Sequence, residues 1–222
     1  MSRNYINKIK MIKDVILKKK FTYKEINFLK KLNTPEKIQN YINTLDYNTG
    51  KRLCVLKVLR LRKADCVEAA IFASFVLSIH NIKNFLITLE AVRDEDHFIC
   101  VYKEKNRYGS LAQSKFLGLR DRKPVYKTIK ELVMSYYEHY FNFYGELTLR
   151  RYSLPYYLKG DKWIYHNKEI YKIDKESSNV KMFSILSKDI EKKRFYVSKE
   201  RFYREIIIFP KNVKIGKKYI QR

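Results

Sequence analysis

The sequence has little of what interrupts or cross-links a chain, since its 222 residues include only 6 glycines, 4 prolines and 3 cysteines. Cys54, Cys66 and Cys100 are odd in number and form no Cys-X-X-Cys pair, which argues against a disulfide framework and against a zinc site. Free thiols are typical of a reducing compartment. We therefore expect a cytoplasmic protein that needs no metal and no other cofactor.

Long apolar runs are also lacking. The longest, Ala69 to Leu77, falls short of the roughly 20 residues that a membrane-spanning helix requires. The N-terminal region does not contain the apolar segment of a signal peptide. These observations predict a soluble protein without a transmembrane segment.

Acidic residues are scarce relative to basic ones: 48 Lys and Arg against 23 Asp and Glu give a formal net charge of +25. Such a charge is typical of proteins that bind nucleic acid or an anionic membrane. An AT-rich coding sequence, which favours Lys, Asn, Ile and Tyr codons, would produce the same excess. Residues 66–100 are the exception, with 2 basic and 5 acidic side chains.

Capping signals predict helices in the first part of the chain. Thr22 and Glu25 have the spacing of a capping box, and Thr34 followed by Pro35 is typical of a helix start. We interpret residues 1–33 as an N-terminal helical extension, residues 34–155 as the core, and residues 156–222 as a basic C-terminal extension packed on the core.

Asp65 and Glu68 have the spacing of a second capping box, which predicts that Cys66 is the first residue of an apolar helix ending near Ile79. The first turn of a helix offers unpaired N–H groups and the positive end of the dipole, and both favour a thiolate. Cys66 is therefore a candidate nucleophile. A free cysteine beside an apolar helix is also typical of an inert core residue.

Three strands are predicted next, at residues 85–92, 97–102 and 108–114, separated by an acidic and a polar turn. They predict an antiparallel sheet packed on the Cys66 helix, and residues 125–142 are predicted to form a long helix. The fold class is therefore α+β. His97 opens the second strand, 31 residues after Cys66, and is a candidate general base.

This arrangement resembles the transglutaminase-like superfamily. The resemblance rests on a helix-initial cysteine followed by Ala69-Ala70, on the Asp96-His97 strand, and on a further strand that contains Gly109. The segments 64–70, 89–97, 114–120, 124–126, 131–132, 135–136 and 148–153 are similar to an uncharacterised prokaryotic group of that superfamily. The resemblance covers about residues 34–155.

The resemblance implies a papain-like core in which Cys66 is the nucleophile and His97 the general base and acid. It implies acyl transfer, either hydrolysis or amine transfer, at a peptide, isopeptide or similar amide bond. An aspartate orients the imidazole in that superfamily, and this chain has Ser114 at the corresponding place. Ser114 is therefore the predicted orienting residue, although a hydroxyl brings no negative charge. The alternatives are Asp94, Asp96 and Asp121.

Two further groups are candidates for the site. Asn48 or Tyr47 could donate a hydrogen bond to an oxyanion beside the Cys66 backbone N–H, or simply form a turn. Arg120, Arg122 and Lys123, with Tyr126, could bind an anion or lie in a solvated loop.

A second hypothesis is a catalytically weak or inactive module that binds nucleic acid or another polyanion through its basic flanks. Basic and aromatic residues alternate at 194–196 and 201–204, which is typical of nucleic-acid binding. A small packed subdomain would show the same alternation.

Overall fold

The protein is represented by a computed structural model that describes residues 17–208, so residues 1–16 of the predicted N-terminal extension and the terminal residues 209–222 lie outside the described part. The helices are α1 (Tyr23–Lys31), α2 (Pro35–Asn43), α3 (Val55–Leu61), α4 (Cys66–Ile79), α5 (Ile129–Met134), α6 (Asn167–Ser178), α7 (Lys188–Glu191) and α8 (Lys199–Glu205). The strands are β1 (Asp46–Tyr47), β2 (Lys63–Ala64), β3 (Asn84–Ala91), β4 (His97–Glu104), β5 (Arg107–Leu111), β6 (Arg122–Tyr126), β7 (Leu149–Ser153) and β8 (Met182–Ser184).

The predicted helix starts are confirmed. Reciprocal capping boxes form at Thr22–Glu25 and at Asp65–Glu68, and the Thr34 side chain accepts the N–H of Lys37. Helix α4 therefore begins at Cys66, as its cap predicts. Within residues 17–208 no helix has the length and apolar character needed to cross a membrane.

A six-stranded antiparallel sheet forms the centre of the fold, in the order β6-β5-β4-β3-β7-β8. The three consecutive strands predicted from the sequence are β3, β4 and β5, although β5 ends at Leu111 and does not extend to Ser114. The α+β class is thus confirmed at the level of an antiparallel sheet with helices before it.

The sheet separates two apolar layers, because successive side chains of a strand point to opposite faces. On β4, Phe98 and Cys100 pack with α4 in one layer. Ile99 and Val101 pack in the other layer with residues that follow the sheet, including Tyr136. Helix α4 is buried along almost its whole length, which explains its nearly continuous apolar sequence.

The predicted helix over residues 125–142 is wrong. Strand β6 reaches Tyr126, α5 covers only six residues, and residues 137–139 form a separate 3-10 turn. Aromatic side chains that suggested a helical core face make specific hydrogen bonds: the Tyr136 hydroxyl bonds with the Ser110 hydroxyl at 2.7 Å, and Tyr140 donates to the Glu95 carbonyl at 2.8 Å. These long-range bonds outweigh the local helical pattern.

Two buried glutamines attach the segment after β5 to helix α2. Gln39 donates to the Ala112 carbonyl at 2.9 Å and accepts the Ala112 N–H at 3.1 Å. Gln113 donates to the carbonyls of Ile42 and Leu45. Because both clamps are buried, the path of the chain toward Ser114 is fixed by hydrogen bonds that water does not replace.

We predict that Gln39→Ala lowers the free energy of unfolding by about 2 kcal/mol, because it leaves the buried N–H and carbonyl of Ala112 unpaired. Asn40→Ala is the matched control, since Asn40 is exposed on the same helix, and it changes stability by less than about 0.5 kcal/mol. Urea unfolding measures both. If the two variants lost the same free energy of unfolding, the proposed stabilising role of the Gln39 hydrogen bonds would be wrong.

Candidate functional site

The first turn of α4 is held by the buried carboxylate of Glu68, which is 1% exposed. It accepts the N–H of Asp65 at 3.0 Å, the N–H of Leu53 at 2.7 Å, and the side-chain amide of Asn48 at 2.8 Å. Asp65 in turn accepts the N–H of Glu68 and pairs with Arg52. These five contacts therefore fix the position at which Cys66 begins the helix.

Tyr47 lies beside Cys66 because of a short parallel pairing. Strand β1 pairs with β2 so that Tyr47 is the register partner of Ala64, two residues before the cysteine. The ammonium of Lys115 lies 5.3 Å from the centre of the Tyr47 ring and 3.0 Å from the Glu95 carboxylate. Lys115 therefore joins Tyr47 to the acidic turn that precedes His97.

A cavity of about 370 Å³ lies where the start of β4 meets the start of α4. Cys66, His97 and Ser114 all contribute to its wall, so the structure brings the three predicted site residues to one cavity. Tyr47, Glu95, Lys115, Leu119, Tyr140 and Tyr144 are among the other residues that line it.

The His97 imidazole is buried, with 4% of the residue exposed, and its orientation is fixed by one hydrogen bond. The Nε2 atom lies 2.8 Å from the Leu119 carbonyl oxygen. A carbonyl only accepts, so Nε2 carries the proton and Nδ1 has the lone pair. Within residues 17–208, no hydrogen bond occupies Nδ1. The rings of Tyr136 and Tyr140 approach the imidazole edge-on, at 6.5 and 6.3 Å between centres.

Leu119, and not Ser114, makes the hydrogen bond that orients His97. The Ser114 hydroxyl accepts the N–H of Phe116 at 3.1 Å, a local turn contact within its own segment. The predicted orienting role of Ser114 is therefore corrected: the residue lines the cavity, and a backbone carbonyl five residues later bonds the imidazole.

The three aspartates that were alternatives to Ser114 have other partners. Asp94 accepts the Thr148 hydroxyl at 2.8 Å, Asp96 accepts the Ala91 N–H at 3.0 Å, and Asp121 pairs with Lys123 at 3.7 Å. The ring of His97 is therefore bonded by a neutral oxygen.

Burial controls the protonation of both candidate catalytic groups. It raises the pKa of the Cys66 thiol, and the backbone N–H of Phe98 offsets this only in part. Burial lowers the pKa of His97 to about 4, with a hydrogen bond to Leu119 acting in the opposite direction. No hydrogen bond joins the Cys66 thiol to the imidazole in the described part of the chain. The resting groups are a neutral thiol and a neutral imidazole, and not the thiolate favoured by the helix terminus alone.

Of the two candidate oxyanion donors, Asn48 is already engaged in hydrogen bonds, whereas Tyr47 faces the cavity. The side-chain amide of Asn48 donates to Glu68 and to the Lys51 carbonyl, so Asn48 is a structural turn residue. Tyr47 remains a candidate, since it lines the cavity.

Arg122, the central residue of the basic cluster predicted as an anion site, also has a structural role. The Arg122 guanidinium donates to the carbonyls of Gly118 and Ser135 and lies 3.9 Å from the centre of the Tyr136 ring. Arg120 donates to the Ser114 carbonyl. These arginines hold the segment that carries the Leu119 carbonyl.

The sequence did not indicate Leu119 or Tyr140 as site residues. Leu119 acts through its backbone carbonyl, which leaves no side-chain signal. Tyr140 was assigned to a helix that does not form, and its hydroxyl bonds to the carbonyls of Glu95 and Leu89 beside the candidate base.

Comparison of the chain with protein-family models and with curated proteins gives no match in either. The assignment of the site therefore rests on the geometry and chemistry of these residues.

We predict that neutral His97 makes stability depend on pH. Its folded pKa of about 4 lies below the ordinary value of 6.5, so the unfolded chain binds more protons between these values. The free energy of unfolding therefore has its full value, as far as His97 is concerned, above pH 6.5. It falls by about 3 kcal/mol as the pH drops toward 4. The His97→Gln variant should not show this decrease. The other titratable groups are the same in both proteins, so their effects on the pH dependence cancel when the two are compared. Urea unfolding at pH 7 and pH 4 measures it, and identical pH dependence in the two proteins would contradict it.

A second prediction concerns the reactivity of the thiols. Cys66 should react with iodoacetamide at pH 7 faster than Cys54 and Cys100, which are fully buried and do not line the cavity. Because burial raises its pKa, the rate should climb about tenfold per pH unit from pH 7 to 9 without a plateau. Peptide mass mapping identifies the labelled cysteine. A plateau that begins near pH 6 would instead indicate a preformed thiolate.

Proposed function

We propose that this chain is a cysteine-dependent acyl-transfer enzyme with a papain-like, transglutaminase-like core, acting at a peptide, isopeptide or similar amide bond. One observation supports this most strongly: a helix-initial cysteine and a histidine with a free, unprotonated Nδ1 line the same cavity. The chemistry needs a nucleophile, a base with its lone pair directed away from its orienting partner, and space for a carbonyl.

In the first step the Cys66 sulfur attacks the carbonyl carbon while its proton passes to His97 Nδ1. The carbonyl π electrons move to oxygen and form a tetrahedral oxyanion. Proton transfer during attack fits a neutral pair, because neither group is charged at rest. The carbon–nitrogen bond then breaks, the Nδ1 proton goes to the leaving amine, and a thioester remains on Cys66.

In the second step water or another amine attacks the thioester and gives its proton to Nδ1. The carbon–sulfur bond breaks, and the proton returns to the sulfur. The hydroxyl of Tyr47 and the backbone N–H of Cys66, which has no partner within the helix as a first-turn donor, are the proposed oxyanion donors. Both hydrolysis and amine transfer follow from this sequence of steps, and the choice depends on the acceptor that enters the cavity.

The test uses p-nitrophenyl acetate, an activated ester that needs no specific substrate contacts. Intact-mass analysis should show one acetyl group on the protein, and peptide mapping should place it on Cys66. Cys66→Ala should remove the acetylation. His97→Gln should slow it by about 100-fold, because it removes the base and keeps a side chain that can donate to Leu119.

Two control variants make this test specific. His166→Gln changes an exposed histidine outside the cavity and should leave the rate unchanged. Ser114→Ala should also leave it nearly unchanged, because Leu119 and not Ser114 bonds the imidazole. Equal acetylation of the wild type and Cys66→Ala would overturn the proposal and favour the alternative of an inactive module that binds a polyanion.

A further inference from the structure

The end of the sheet opposite the cavity carries a row of aromatic side chains on the face away from α4. Tyr126, Tyr108 and Phe85 belong to strands β6, β5 and β3 and are only partly buried on this face. Tyr108 is the register partner of Tyr126 on one side and of Lys103 on the other. Tyr157, which is 50% exposed, continues the row past Phe85.

The rings of Tyr157, Phe85 and Tyr108 form one connected surface. The centre of the Phe85 ring lies 6.3 Å from that of Tyr108 and 5.9 Å from that of Tyr157. The Lys103 ammonium lies 5.2 Å from the centre of the Tyr108 ring. Strands β3 and β5 and the segment after β7 thus supply apolar ring faces, and strand β4 supplies a cation.

Positive charge surrounds this surface. The exposed lysines at neighbouring positions of the chain are Lys83, Lys103, Lys105 and Lys127. Of the nearby acidic residues, Glu104 is the register partner of Arg107, and strand alternation puts its side chain on the opposite face. Glu131 accepts the backbone N–H of Lys127, so its carboxylate lies beside that lysine, and the excess of positive charge comes from Lys83, Lys103 and Lys105.

We infer that this face binds single-stranded nucleic acid, with bases stacked on Tyr157, Phe85 and Tyr108 and phosphates paired with the lysines. Aromatic side chains on adjacent strands offer π faces to which any unpaired base can stack. The lysines supply the charge that a phosphate backbone requires. A duplex has no free base faces, so this surface favours the single strand.

The two basic and aromatic segments predicted from the sequence have other partners for their arginines. Phe202 is fully buried, and Arg201 donates to the carbonyl and carboxylate of Glu138. Phe195 and Tyr196 are exposed, but Arg194 lies 3.8 Å from the Glu146 carboxylate. The aromatic row on the sheet is therefore the site to which we assign the binding.

Fluorescence anisotropy with labelled oligo(dT) and oligo(U) of about 12 nucleotides tests the inference. Tyr157→Ala should weaken binding about tenfold, and Tyr157→Phe, which keeps the ring, should restore it. Tyr23→Ala is the matched control, because Tyr23 is 78% exposed on α1. Lys103→Ala should reduce the slope of log K against log salt by about 0.7, and Lys24→Ala, also exposed on α1, should not.

Binding of oligo(dT) or oligo(U) more tightly than a duplex of the same length supports the inference. The oligonucleotide that binds more tightly of the two identifies the polymer that the face prefers. Binding of neither would overturn it. So would equal effects of Tyr157→Ala and Tyr23→Ala, or equal affinity for a duplex of the same length, because both results indicate diffuse attraction by net charge. Cys66→Ala should bind with wild-type affinity, so a failure of the catalytic proposal is a separate result.

Discussion

The carboxylate of Glu68 connects the first turn of α4 to the segment that precedes α3. One donor is Asp65 at the cap of the same helix, and the others are Asn48 and Leu53, which lie 20 and 15 residues earlier in the chain. Burial raises the pKa of this group to about 7, and the donors act in the opposite direction. A buried carboxylate without these donors would be strongly destabilising, so the segments cannot separate from the helix without a large cost in free energy.

The position of the candidate site follows from this constraint. With the start of α4 fixed, Cys66 reaches the cavity from the helix side of the sheet, at the point where β4 begins. His97 approaches from the opposite side, among Tyr136 and Tyr140. The cavity lies at the start of β4 and is lined by residues of both layers, Cys66 from one and Leu119 and Tyr140 from the other.

The sequence predicted those parts of the fold that depend on local interactions. The capping boxes at Thr22 and Asp65 involve residues three positions apart, and the β3–β4–β5 meander has short turns. The error at residues 125–142 has a physical cause: Tyr136 and Tyr140 look like a helical core face, but their hydroxyls bond to Ser110 and Glu95, which are distant in the chain.

The residues that line the candidate site were predicted in part, for a similar reason. Cys66 and His97 are side chains with a recognisable spacing, and they do line one cavity. The orienting group is the backbone oxygen of Leu119, which any residue type could supply. The protonation of the pair depends on burial, which favours the neutral thiol of Cys66 and the neutral imidazole of His97. The helix dipole, considered alone, favours a thiolate.

The division of the two groups between layers has a consequence for a newly synthesised chain. The layer that holds α4 is built from residues up to Ile173, whereas the layer that holds His97 also requires Val197, Phe202 and Ile206. During translation the layer around α4 therefore has all its members before the layer that flanks the His97 ring does. The candidate site of a nascent chain lacks part of its packing until Ile206 has emerged.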